Sequence, residues 1–127
     1  MPAFSTRLHA YLHYILAIFL LTAPFWGRFA GPNAETWVAV GVGVAIVVYG
    51  LMTDNELGIF RRLQMPLHLW IDAFAGVVVA TSPWVFSFDD RVWIPHVVAG
   101  VLLLALAIGS HTIPGYDRRS PTRTALD

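Results

Sequence analysis

A chain of 127 residues is one domain's worth of protein, and at 57% apolar with 13% charged residues it lies outside the soluble norm. Eight acidic residues balance eight basic ones, all of them arginine, and no positive block is large enough to grip nucleic acid. Cysteine is absent, which excludes disulfides, thiol chemistry and thiolate metal sites.

Four apolar runs of about 16 to 21 residues are each long enough to cross a roughly 30 Å hydrocarbon core at about 1.5 Å per residue. The expected fold is therefore all-α, a membrane-embedded four-helix bundle. Met1 to Phe4 is a short tail, and Ser5 or Thr6 is placed to cap helix 1, about Arg7 to Trp26. From Ile15 to Leu21 this helix is apolar on all sides, so Leu20 is expected to face lipid. Pro24 directly after Thr22-Ala23 is a poor cleavage context, which argues for a retained helix rather than a signal peptide. Its ring removes an N–H, so the helix should kink or stop there. Gly31-Pro32-Asn33 is a turn with Asn33 as cap, and helix 2 follows, about Ala34 to Met52. Ala39 with Gly43, and Gly41 with Ala45, are small residues four apart that let another backbone approach. With no strand before it, Gly41-x-Gly43 carries no nucleotide-loop reading.

Thr53-x-x-Glu56 has the pattern of a capping box, which predicts a short interfacial helix between Thr53 and Met65, with Arg61 and Arg62 at the headgroups. Pro66 suits the first turn of helix 3, which runs to about Trp84 with Gly76 and Ala80 as its small pair. After a short loop, Asp89 or Asp90 caps helix 4, about Trp93 to His111, whose small pair is Ala105 with Gly109. The tail from Tyr116 to Asp127 is polar and expected to be disordered. Arg7, Arg61, Arg62, Arg118, Arg119 and Arg123 fall on one side of this topology and only Arg28 and Arg91 on the other. The positive-inside rule then puts both termini in the cytoplasm, with Trp26, Trp37, Trp84 and Trp93 as an outer aromatic belt.

The chain is also a tandem duplication. An ungapped slide of about 59 positions superposes Leu8 on Leu67, His9 on His68, Thr22 on Thr81, Pro24 on Pro83 and Phe29 on Phe88. In the second helices it places Val38 on Val97, Gly41 on Gly100 and Gly50 on Gly109. One membrane domain over 1–127 thus divides into repeat one (about 7–53), a linker (54–65), repeat two (about 66–112) and a polar tail (113–127). With an even number of crossings in each, the halves share one topology and are related by an axis along the membrane normal.

Ser82-Pro83-Trp84, followed by Val85-Phe86-Ser87-Phe88 and preceded by Trp70-x-Asp72-x-x-x-Gly76, resembles the SPW repeat family of bacterial membrane proteins. The first copy departs from the pattern, with Ala23 for Ser, Phe25 for Trp, Tyr11 for Trp and His13 for Asp; Pro24 is kept. The resemblance implies a pair of transmembrane helices in each repeat and a place in the bacterial cytoplasmic membrane, and it implies no particular activity.

Chemistry has one candidate location. His9 and His13 lie four apart on one helix face, their repeat mates His68 and Asp72 do the same, and His111 closes helix 4 at a similar depth. Asp72, read as the one acidic residue within the apolar runs, wants a partner. Three readings are open. The residues can be interfacial, with Asp72 bonded to His68, His13 or Trp70 and the imidazoles reaching headgroups. They can hold haem b or a divalent metal, or form a proton relay. If the pseudo-axis passes between helices 1 and 3, His13 and Asp72 meet, and Asp72→Ala should be milder than His13→Ala. His96 is a boundary residue on the other side. Ser82 stands about 15 Å from Asp72 along one helix, so no catalytic triad can be built. The expected role is structural or accessory: a packing subunit or self-associating protein whose partners are the bilayer and either its own copies or a larger membrane complex. No cofactor and no nucleic acid belong to that reading. A haem- or metal-binding redox protein and a small proton-coupled transporter or channel are the alternatives.

Overall fold

The computed structural model describes residues 3–110 and 112, and among them the chain forms four helices: α1 (Thr6–Trp26), α2 (Ala34–Met52), α3 (Met65–Val85) and α4 (Ile94–Gly109). His111, Arg118, Arg119, Arg123 and the tail expected to be disordered lie outside the described residues. The fold is an all-helical bundle of two hairpins, α1 packing mainly on α2 and α3 on α4. The first three helices are long and apolar enough to cross a membrane, and α4 is a shorter apolar helix. Ile15, Ile18, Phe74 and Ile108 face outward, as side chains bathed in lipid would. The core between the hairpins is built from Leu16, Leu20, Ile46, Val79 and Leu103. Leu20 is thus fully buried rather than turned to lipid, because it and its repeat mate Val79 both point at the hairpin interface.

Local chemistry sets most boundaries. Ser5 caps α1, its Oγ accepting the Leu8 N–H at 3.1 Å. Asn33 precedes α2 but makes no side-chain cap bond, and the residue before α4 is Trp93, not Asp89 or Asp90. Asp89 is instead part of the turn that closes α3, its N–H donating to the Pro83 carbonyl. No interfacial helix forms after Thr53, and the linker runs as turns and bends. The capping box fails because both its side chains are engaged elsewhere. Thr53 ends α2 with its hydroxyl donated back to the Tyr49 carbonyl, while Glu56 accepts from the Thr6 hydroxyl on α1.

The two lead-in segments are exchanged. The N–H groups of Ala3 and Phe4 donate to the Gly109 carbonyl at the end of α4, while those of Arg62 and Leu63 donate to the Met52 carbonyl at the end of α2. Phe4 pairs with Ser110, and Leu63 with Thr53, as single parallel bridges. Each repeat therefore satisfies carbonyls that the final turn of the other repeat leaves without intrahelical partners.

The ungapped register holds for α1 and α3 but not for the second helices. Ala34 and Ile94 open α2 and α4 sixty positions apart, and α2 is three residues longer. Burial follows the same shift: Glu35, Ala39, Gly43 and Ile46 are buried in α2, and Pro95, Ala99, Leu103 and Leu106 in α4. Gly41 is consequently no counterpart of Gly100. A Cβ at Gly41 would meet nothing within 4 Å, whereas one at Gly100 would lie 2.6 Å from the Gly76 carbonyl oxygen and the Ala80 Cβ. Of the small pairs, Ala39 with Gly43 and Gly76 with Ala80 pack inside the hairpins, and Gly109 lies against the Phe4 ring. Gly41, Ala45 and Ala105 are exposed, Ala105 lining an apolar groove with Phe4, Leu12 and Leu102.

Gly43→Leu is expected to destabilise the fold by about 1–3 kcal/mol, since its Cβ would stand 2.9 Å from the Leu21 Cγ. Leu20→Ala should cost about 2–5 kcal/mol, and Gly41→Leu should stay within about 0.5 kcal/mol. Unfolding of the three variants in detergent checks the order; equal damage from Gly41→Leu and Gly43→Leu would contradict this packing.

Candidate functional site

Four side chains from α1 and α3 converge at the end of the bundle where the chain enters. His9, His13, His68 and Asp72 are all buried, and the ligand-type atoms they offer lie within 4.8 Å of one another. The His9 Nε2 is 3.0 Å from the His68 Nε2 and 3.1 Å from the Asp72 Oδ2, which is 3.3 Å from the His68 Nε2. His13 Nε2 stands 2.9 Å from the other carboxylate oxygen, Oδ1, which also accepts the Tyr49 hydroxyl at 2.6 Å. The expected meeting of His13 and Asp72 is therefore present. Trp70 is exposed and takes no part, and the imidazoles face inward instead of reaching headgroups.

Hydroxyls from the second helices orient the rings. The Thr53 Oγ1 lies against the His68 Nδ1, and the Ser110 Oγ is 2.7 Å from the His9 Nδ1. A hydroxyl has one proton, and Thr53 already donates its own to the Tyr49 carbonyl. The His68 Nδ1 must then be the donor, leaving a lone pair on Nε2 when the ring is neutral. His13 Nε2 is placed to donate to Asp72 Oδ1, because the Tyr49 hydroxyl proton is already given to that oxygen. Among the described residues Asp72 Oδ2 is left without a hydrogen-bond partner, although the His9 and His68 Nε2 atoms stand 3.1 and 3.3 Å from it.

The site sits on the pseudo-two-fold axis. Only residues on such an axis can touch their own symmetry mates, and His9 touches His68 as His13 touches Asp72. Sequence reasoning missed Tyr49, Thr53 and Ser110. Tyr49 did leave a clue, as one phenol within an apolar run whose hydroxyl would need a partner once buried.

The Pro-aromatic stretches form the opposite end. Both helices run two residues past the proline, to Trp26 and Val85, so Pro24 and Pro83 sit in the last turn instead of stopping it. Arg28 and Ser87 then adopt left-handed angles, with φ of 58° and 57°. The Phe29 N–H donates to the Pro24 carbonyl and the Arg28 N–H to Phe25; Phe88 and Ser87 do the same to Pro83 and Trp84. This is a Schellman ending twice over, with the buried Phe29 and Phe88 as its apolar contact. Pro83 cannot donate to the Val79 carbonyl four residues back, and the Ser82 hydroxyl donates to that oxygen instead, at 2.7 Å. Phe25, Trp26, Trp37, Trp84 and Trp93 are exposed around this end.

His96 lies at this end and is buried, packed between the Phe29 and Phe88 rings with its Nε2 donating to the Glu35 carbonyl at 2.9 Å. Glu35 is a second acidic residue within an apolar helix, overlooked in the sequence because it occupies the first turn. Its carboxylate takes two hydrogen bonds from Arg91, at 3.0 and 3.2 Å, and so links the hairpins.

A family model described as the SPW repeat domain matches residues 7–110. No curated protein and no solved structure matches the chain.

The geometry reverses the expectation that Asp72→Ala is mild. That change would leave the Tyr49 hydroxyl and the His13 N–H buried without their shared acceptor, and a cost of about 3–5 kcal/mol is expected. Ser82→Ala should cost about 1 kcal/mol by stranding one carbonyl, and the first repeat already tolerates Ala23 at that place. Unfolding in detergent tests both; an Asp72→Ala protein as stable as wild type would show that the carboxylate is not the shared acceptor.

Proposed function

Because the chain belongs to the SPW repeat family, whose model spans both helical hairpins, we propose that this small membrane protein has a structural or accessory role and associates with further copies of itself through the outward face of α2. The observation that carries the reading is Gly41. The buried small pairs are filled by a neighbouring helix, but Gly41 and Ala45 are exposed on α2 beside Val44 and Val48. Lipid and leucine are equally apolar, so a small-residue stripe is the feature that lets a second backbone approach in a bilayer.

Orientation belongs to the same proposal. Arg7, Arg61 and Arg62 lie at the histidine end, with Arg28 and Arg91 at the Pro-aromatic end. Counted with the arginines of the tail, this favours a bacterial cytoplasmic membrane with both termini inside. Reporter fusions at Asn33 and Asp89 should report the outer side; a cytoplasmic signal from either would reject this topology.

The role itself is tested by association. Wild-type protein in mild detergent should sediment as a defined oligomer, and Gly41→Leu should shift it toward the monomer with its helical content unchanged. A wild-type monomer in both detergent and nanodiscs would remove the basis for self-association.

A further inference from the structure

We propose that His9, His13, His68 and Asp72 form a binding site for one divalent transition-metal ion, zinc by preference, on the pseudo-two-fold axis between the repeats. The inference goes beyond the accessory role and stands independently of self-association.

His9 Nε2, His68 Nε2 and Asp72 Oδ2 face one another at 3.0 to 3.3 Å with no exposure to water. The hydroxyl of Thr53 holds the His68 proton on Nδ1, so Nε2 presents a lone pair to this point. If His9 donates its Nε2 proton to that lone pair, the carboxylate oxygen is left facing both rings without a hydrogen, which is the condition in which Asp72 Oδ2 is found. A single proton leaves at least one of the three converging atoms without a partner. A cation at their centre serves all three.

The dimensions agree. A triangle with edges of 3.0, 3.1 and 3.3 Å has its corners about 1.8 Å from its centre, so an ion slightly out of that plane reaches the roughly 2.0–2.2 Å typical of zinc to imidazole nitrogen and carboxylate oxygen. His13 either releases its Nε2 proton and completes a tetrahedral set, or keeps it and holds Asp72 Oδ1, as a hydrogen-bonded neighbour steadies a ligating carboxylate. Ser110 and Thr53 on the far ring nitrogens, and Tyr49 on the carboxylate, are the outer groups that fix ligand orientation. Three imidazoles and one carboxylate, with no thiolate, suit zinc and its first-row neighbours over calcium or magnesium. Haem is disfavoured, because 3.0 Å between the His9 and His68 nitrogens leaves no room for a macrocycle.

The test uses the full chain in detergent, purified without chelator, then stripped and reloaded with Zn(II) or Co(II). About one ion per chain is expected by elemental analysis, and reloading with Co(II) should give the visible bands of a tetrahedral site that Zn(II) displaces. His68→Ala and Asp72→Asn should lose the ion. Thr53→Val, which touches only the outer group, should keep the stoichiometry and weaken affinity about 10- to 100-fold, while Ser82→Ala at the opposite end should bind as wild type. A wild-type chain that is helical and monodisperse yet takes up neither metal overturns the proposal, and so does an ion retained equally by His68→Ala and Asp72→Asn.

Discussion

An acidic side chain with no access to water governs the end of the bundle where the chain enters. A carboxylate left alone in apolar surroundings is costly, and the chain answers with groups from all three of its longest helices. Tyr49 from α2 and His13 from α1 both serve one oxygen, while His9 and, one turn back on the carboxylate's own helix, His68 stand beside the other. Even the hydroxyls that end α2 and α4 are turned inward to the imidazoles. The polar network and the apolar core thus make the same demand, that α1 and α3 lie side by side in register.

The opposite end solves a different problem, how to finish a helix whose last turn contains proline. Left-handed residues at Arg28 and Ser87 fold the backbone over so that the proline carbonyl becomes an acceptor and the next phenylalanine drops into the core. The Ser-Pro-Trp stretch is best understood through this geometry. Serine repairs the carbonyl that proline strands, the proline carbonyl becomes the acceptor onto which the chain folds back, and tryptophan remains on the outside of the bundle.

Much of this is legible in the sequence. Helix number and the order of elements follow from apolar run lengths and the repeat, and the meeting of His13 with Asp72 follows once the axis is placed between helices 1 and 3, because a two-fold relation turns a sequence offset into a spatial contact. Besides the site's outer groups and Glu35, three features of the fold escaped. The direction of Leu20 cannot be read from a helix that is apolar all round, since no polar face marks the outside. The extra residue ahead of α4 left no mark in the aligned glycines, and only burial reveals that Gly41 and Gly100 serve different faces. The capping box at Thr53 matched in spelling, but its two side chains had stronger claims on them from His68 and Thr6, tertiary contacts that local pattern does not contain.

The exchanged lead-ins carry a consequence for how such a chain could arise. One repeat alone closes neither of its ends, so two separate copies would have to pair about the same axis to make the bundle, each lending its entry strand to the other. In such a symmetric dimer every position on the axis would confront itself: aspartate against aspartate, or histidine against histidine. Joining the copies through the Thr53–Gln64 connection lifts that restriction. In a single chain the mates at 13 and 72 can be unlike, and an acid–imidazole contact stands where a homodimer of identical repeats would set like against like.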